Sequence, residues 1–118
     1  MQLTPPVIAE GEIHVAILAI PGQAPYHLIL LPGTADDVTW EEAQEWATQH
    51  GGELPNRHEQ ALLFAHQREQ FESTWYWSSQ QHESDEDYAW CQYFGYGFQL
   101  GDDRGLKLRA RAVRRLPI

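Results

Sequence analysis

Six histidines, a single Cys91, a Ser78-Ser79 pair and two dense acidic runs are the side chains of this chain whose types suit nucleophilic, acid–base or metal-assisted chemistry. A reactive thiolate needs a cation or base beside it, and a nucleophilic serine needs a base within hydrogen-bond reach. No local motif supplies either, so Cys91 reads as a small buried hydrophobe. A lone cysteine also rules out an intrachain disulfide and a multi-cysteine zinc site. The histidines stand at positions 14, 27, 50, 58, 66 and 82. His58 and His66 fall two helical turns apart, whereas joint ligation from one helix face wants an i, i+4 pair. The runs Glu83-Ser84-Asp85-Glu86-Asp87 and Asp102-Asp103 are rich in oxygen, but neither has the ligand spacing of a Ca²⁺ loop. Gly95, Gly97, Gly101 and Gly105 have a hairpin context, not that of a phosphate-binding loop. The expectation is a non-catalytic protein with no metal and no cofactor, which folds without bound metal.

What remains is aromatic. From Trp75 to Leu116 the chain carries three of its five Trp and four of its five Tyr. Such rings give large, rigid contact area at low entropic cost, which is why recognition surfaces use them. Strand alternation puts Trp75 and Trp77 on one face and Tyr76 on the other. Trp75, Trp77 and Trp90 are expected in the core.

The elements that must position these rings follow from punctuation. Glu12 to Ile20 and Tyr26 to Leu31 flank the turn Pro21-Gly22-Gln23-Ala24-Pro25 and predict an amino-terminal hairpin. Thr39 with Glu42 forms a capping box, and Trp40, Ala43, Trp46, Ala47 and His50 keep helical spacing until Gly51-Gly52. Asn56 with Glu59 repeats the box and opens a second helix, with Ala61, Leu62 and Ala65 on its apolar face and Phe64 and the Arg68 stem near it. Strands, then helices, then strands predict an α+β fold with two helices packed on a small antiparallel sheet. At this length residues 1–118 are read as one domain.

Net charge is −9, unevenly spread: residues 1–103 hold all 17 acids against Arg57 and Arg68, and the other basic residues follow. Arg109 and Arg111 are read as neutralising acids across the sheet. Direct nucleic-acid binding is disfavoured, because the surrounding acids repel phosphates over a Debye length of ~8 Å. No segment approaches the roughly 20 apolar residues of a membrane helix, and the start MQLTPPVIAEGEIH lacks the pattern of a secretory leader. The chain is expected in the cytoplasm of the bacterium that makes it or on a virion.

Thr39-Trp40-Glu41-Glu42-Ala43, Gly51-Gly52-Glu53-Leu54-Pro55-Asn56 with Glu59, Trp75-Tyr76-Trp77-Ser78-Ser79, Tyr88-Ala89-Trp90 and Arg111-Ala112-Val113-Arg114-Arg115 occur in an order that resembles a C-type lectin-like domain. More narrowly, residues 38–116 are similar to a bacterial and phage family of unassigned function with that fold. That family is related in shape to formylglycine-generating enzymes and phage receptor-binding variable proteins. The chain lacks the calcium-holding triplets of sugar-binding lectins, and Leu54-Pro55-Asn56 is better explained by Asn56 as a helix cap. Formylglycine-generating enzymes use paired cysteines, and the related iron enzymes a histidine set; a single Cys91 cannot supply the first.

The resemblance implies a ligand-facing surface of loops and last strands, mapping to Gln80–Tyr88, Tyr93–Phe98 and Asp102–Arg104. The expected function is a protein-binding module of phage or prophage origin. Tyr88, Tyr93 and Tyr96 would anchor the partner, and Asp85, Glu86, Asp87, Asp102, Asp103 and Arg104 would complete the face. Alternatives are a small acidic inhibitor of a nucleic-acid-handling host complex, imitating phosphate charge, and a phage structural or receptor-binding component. The amino-terminal hairpin leaves a strand edge able to pair with a second copy, so a homodimer is also open.

Overall fold

In the computed structural model, which describes residues 5–118, Thr39 and Asn56 each start a helix by the same reciprocal pairing. Each cap side chain accepts the N–H of the residue three places on, Glu42 or Glu59, whose carboxylate accepts the cap's own N–H. Two otherwise orphaned donors are thereby satisfied at each start. Helix α1 spans Trp40–Gln49 and α2 spans Arg57–Gln67, followed by a 3₁₀ turn at Arg68–Gln70. Gly51 ends α1 at φ +81°, and Gly52 lets the backbone pass so near Val113 that a Cβ there would lie 2.4 Å from its carbonyl oxygen. Residues 1–4, part of the start read as lacking a leader, lie outside the described residues. No described helix is long and apolar enough to cross a membrane.

The class is α+β. Strands β1 (Ile13–Leu18) and β2 (Tyr26–Leu30) form the expected hairpin, followed by β3 (Ala35–Val38), β4 (Trp75–Gln81), β5 (Tyr88–Tyr93), β6 (Phe98–Asp103), β7 (Leu108–Ala110) and β8 (Val113–Pro117). These make two sheets, where sequence suggested one: a three-stranded β1-β2-β8 and a five-stranded β3-β7-β4-β5-β6. The larger is not wholly antiparallel, since β4 meets β7 in parallel at Tyr76 and Arg109. After β7 the chain runs through buried Arg111 and Ala112 into the other sheet, where β8 pairs with β2 from Leu30↔Val113 to Tyr26↔Pro117.

Strand β4 divides the interior. Trp77 is fully buried among Trp40, Ala43, Ala47, Leu54, Cys91 and Ala110 on the α1 side. Tyr76 is buried with Leu28, Leu30, Leu63, Phe94 and Val113 on the other. Both indoles find acceptors, Trp77 at Val38 O (2.9 Å) and Trp40 at Ser78 O (2.8 Å), as buried Trp N–H groups require. Trp75 and Trp46 are half-buried against the first cluster. Trp90 departs from expectation: it lies outside both clusters, beneath the Arg57 guanidinium at 3.5 Å from the ring centroid.

Helix α2 is rotated from its sequence-based phase. Its buried residues are Glu59, Gln60 and Leu63, while Ala61 and Ala65 are exposed. The apolar pattern misleads because two polar side chains on the inner face are satisfied there. Gln60 donates to Tyr76 O and Trp77 O at 3.1 and 3.2 Å. Glu59 accepts from Arg115 Nε (2.7 Å) and Nη2 (2.8 Å) and from the Tyr26 hydroxyl (2.7 Å). Buried polar groups are tolerable when so paired.

Replacing Trp77 by Ala is expected to cost ~3–5 kcal/mol, as for other buried aromatic truncations. Trp46→Ala should cost less, about 1–2 kcal/mol, because part of its ring is already in water. Denaturant unfolding of both variants checks the order, and equal losses would mean that Trp46 is as buried as Trp77.

A second outcome follows from Glu59, whose side chain has no solvent exposure. Burial alone would raise its pKa, but hydrogen bonds from Arg115, the Asn56 backbone and Tyr26, with the Arg115 charge, together hold it below the ordinary 4.5. A carboxylate depressed on folding contributes stability that is complete above its unfolded pKa and is lost as pH falls through the folded one. Stability is therefore expected to decline below about pH 4.5. Glu59→Gln should flatten that decline and cost roughly 3 kcal/mol or more at neutral pH. Chemical denaturation between pH 3 and 7 reads both effects.

Candidate functional site

The β5–β6 hairpin carries most residues expected to meet a partner, and its strands pair in register from Tyr88↔Asp103 to Tyr93↔Phe98. Its tight turn is nailed down from inside. Phe94 stacks on Phe71 at 4.0 Å and donates its N–H to Thr74 O, and Gly97 donates to Tyr93 O at 2.6 Å. Gly97 adopts φ +88° against the Phe64 ring, a conformation and a closeness that favour glycine. With Phe94 held inward, Tyr96 and Phe98 project outward, 74% and 62% exposed.

These rings form a chain, with centroids 6.0 Å apart from Tyr93 to Tyr96 and 6.0 Å from Tyr96 to Phe98, while Tyr93 leans on Trp75 at 5.2 Å. Strand β6 is an edge of its sheet, and Phe98, Leu100 and Asp102 share one of its faces by strand alternation. Helix α1 packs chiefly on β3, β7 and β4, leaving that part of the sheet uncovered. Phe98 ends one of the segments expected to face a ligand but was given no anchoring role, and Leu100 lay outside them, although their alternation with polar neighbours is a readable sign of a half-covered strand.

At the far end of the same hairpin the two acidic turns meet. Arg104 donates its backbone N–H to Asp87 O at 2.9 Å and its Nη1 to Glu86 O at 2.9 Å. Asp85 Oδ1 accepts from Asp87 N, Asp102 Oδ1 from Asp103 N, and Asp103 Oδ1 from Gly105 N. These are turn-building bonds. Among the described residues, none of Asp85, Glu86, Asp87, Asp102 or Asp103 joins an ion pair, so their charges stay uncompensated. Arg104 is committed otherwise: it pairs with Glu41 and lies 4.8 Å from the Trp40 ring, joining the turn to α1.

The expected site residues thus fall into two groups. Asp85, Glu86, Asp87, Tyr88, Asp102, Asp103 and Arg104 gather at one end of the hairpin, and Tyr93 and Tyr96 at the other, separated by the length of β5, about 17 Å. Tyr88 and Tyr93 also point to opposite faces of the sheet, since they stand five residues apart on one strand. Tyr88 is 39% exposed and Tyr93 half-buried.

The sequence matches no protein-family model and no curated protein. The site is therefore read from its own geometry. The Cys91 thiol is buried, donates weakly to Leu100 O at 3.5 Å, and is pushed up to a pKa of about 12 by burial with help from Asp102. Ser78 is buried, and its hydroxyl accepts the N–H of Gln80. Neither presents an activated nucleophile. Among the described residues, no three His, Cys, Asp or Glu side chains come together as a metal set. What this hairpin can do is bury a graded strip, aromatic at one end and anionic at the other.

Gly97→Ala tests the turn that holds the strip. The left-handed backbone alone costs a non-glycine residue about 1–2 kcal/mol, and the new Cβ would sit 2.9 Å from a Phe64 ring atom. A loss of that size by thermal unfolding, with altered near-ultraviolet dichroism from Tyr93 and Tyr96, is the expected result. An unchanged melt would show that the turn does not need glycine.

Proposed function

We propose that this chain is a non-catalytic recognition module that binds a protein partner along the β6 edge, on a scaffold of the C-type lectin-like kind found in bacteria and phages. One observation carries the reading: Tyr96 in the turn, and Phe98 and Leu100 at alternate positions of the edge strand that follows it, are exposed, and the strand face of Phe98 and Leu100 ends in Asp102, beside the unpaired Asp85, Glu86 and Asp87. Edge strands are commonly blunted with lysine, proline or a covering element. Strand β6 contains neither residue. Large exposed apolar groups in a cluster mark interaction sites, whereas singly scattered ones do not.

The separation of the two groups fits one footprint. A standard interface covers about 800 Å² per partner, roughly 30 Å across, enough to span both ends of the hairpin. The aromatic end supplies the desolvated centre, and the acidic end a rim that steers a partner with a basic margin. The same unpaired carboxylates favour the acidic-inhibitor reading over a bare structural role, since fixed anionic groups can stand in for phosphates before a nucleic-acid-handling protein.

The test uses a photo-crosslinking residue at position 98 to capture the partner, followed by binding kinetics on purified components. Phe98→Ala or Tyr93→Ala should raise the dissociation rate, at a cost of ~2 kcal/mol or more. Neutralising Asp85, Glu86 and Asp87 together should slow association and flatten its salt dependence. Unchanged kinetics in both variants would move the interface to another surface.

A further inference from the structure

On the opposite face of the same hairpin, Arg57 lies over Trp90 and is held there by an amide relay. Its Nε donates to Gln99 Oε1 at 2.9 Å, while Gln99 Nε2 donates back to Arg57 O and on to Gln92 Oε1, both at 2.8 Å. Gln92 is fully buried and donates to Gln60 O at 2.7 Å, so the relay is rooted in the core. Gln80 Oε1 accepts the Arg57 backbone N–H at 2.8 Å. Beside them opens a cavity of about 560 Å³ lined by Arg57, His58, Ala61, Gln80, Gln92, Gly97 and Gln99.

The hydrogen-bond accounting in this wall is one-sided. The side-chain oxygens of Gln80, Gln92 and Gln99 are all occupied by protein donors. Among the described residues, Arg57 Nη1 and Nη2 and Gln80 Nε2 have no protein partner, and Arg57 is in no ion pair. Glu83, which feels the Arg57 charge without pairing with it, accepts from Trp90 Nε1 at 3.0 Å. Apart from His58, whose ring can donate or accept, the free valences of this wall are donors, which with a guanidinium fixed in orientation are complementary to a ligand that only accepts. Two parallel guanidinium N–H bonds match the two oxygens of a carboxylate.

A second cavity, about 410 Å³, adjoins the first and shares His58 and Ala61 with it. Its other walls are Leu18, Ala19, Ile20 and Leu62, so it is apolar where the first is polar. Between them the exposed Ala61 presents only a methyl group.

We propose that these two cavities form one binding site for a small aliphatic carboxylate, its head on Arg57 and Gln80 and its tail between α2 and β1. A monoanion suits the site better than a phosphate dianion, because the chain carries a net charge of −9. The site faces away from the recognition strip and is independent of it.

Isotope-labelled full-length protein titrated with acetate, hexanoate and octanoate tests this, with the Arg57 Nε–H and Gln80 side-chain amide resonances as readout. Saturable shifts are expected for octanoate, and affinity should rise about fourfold for each methylene buried along the series. Octanamide, without the charge, should bind at least tenfold more weakly than octanoate. Arg57→Lys, which keeps charge but loses the fork, should weaken octanoate at least tenfold. Should that variant fail to fold, Gln80→Glu places a competing carboxylate beside Arg57 and should abolish binding. Ala61→Leu should block the way from one cavity to the other, removing the chain-length dependence while leaving acetate unaffected. Absence of saturation, equal binding of octanamide, affinity independent of chain length, or tighter binding of inorganic phosphate would each overturn the proposal. Tighter binding of N-acetyl-glycyl-leucine than of octanoate would reassign the site to a peptide carboxy-terminus and overturn the small-molecule assignment.

Discussion

A carboxylate with no access to solvent ties together parts of the chain that share no local signal. Glu59 closes the capping box of α2, receives two N–H groups from Arg115 on β8 and takes the Tyr26 hydroxyl from β2. The helix, the first hairpin and the last strand are thereby fixed on one charge. Burying such an ion is costly unless its lone pairs are filled, and here the cap, the guanidinium and the phenol fill them. Tyr26 records the other side of the bargain: burial and the hydrogen bond to Glu59 push its pKa up to about 12.

The same economy explains the charge asymmetry of the sequence. The late cluster of basic residues reaches back to acids placed early in the chain: Arg104 to Glu41, Arg109 to Asp36, Arg114 to Glu12, and Arg115 to Glu53 and Glu59. Exposed members such as Arg109–Asp36 contribute little, whereas the buried Arg115–Glu59 pair constrains strand placement. Arg111 does not follow the expected pattern of pairing with acids. It is buried and donates to Gln70 O and Leu31 O, with its Nε unpartnered, so carbonyl dipoles take the place of a counter-ion. With Arg104, Arg109, Arg114 and Arg115 so engaged, the turn acids at 85–87 and 102–103 are left without an ion-pair partner among the described residues.

Local signals were legible where the physics is local. Both capping boxes, the first hairpin and the glycine stop after α1 stand where residue spacing puts them, because each is decided within a few residues. The phase of α2 was not legible, since Glu59 and Gln60 look solvated until their partners are known. Arg115 lies 56 residues from Glu59 along the chain. Trp90 was hidden for the same reason: a tryptophan on a strand reads as core, and only the helix-borne Arg57, brought over it by the fold, makes it the base on which a guanidinium rests. Among the expected site residues, the acids could be placed together because turns adjoin at hairpin ends. The split of Tyr88 from Tyr93 follows from the parity of their spacing, which only a fixed strand boundary makes usable.

One hairpin therefore serves two chemistries because alternation separates its faces. Odd and even positions of β5 look into different environments, with Ala89, Cys91 and Tyr93 toward the aromatic side and Trp90 and Gln92 toward the glutamine relay. Gly101, opposite Trp90, leaves room for the His82 ring that stacks on Trp90, since a Cβ there would come within 2.6 Å of that ring. The edge position of β6 leaves its outer side unpaired, while the bonds from Gln99 to Arg57 and Gln92 hold its inner face to α2 and β5. A strand anchored on one face by buried amides can expose aromatic rings on the other without losing register, because a slip of one residue would break the amide relay and turn Phe98 and Leu100 inward together.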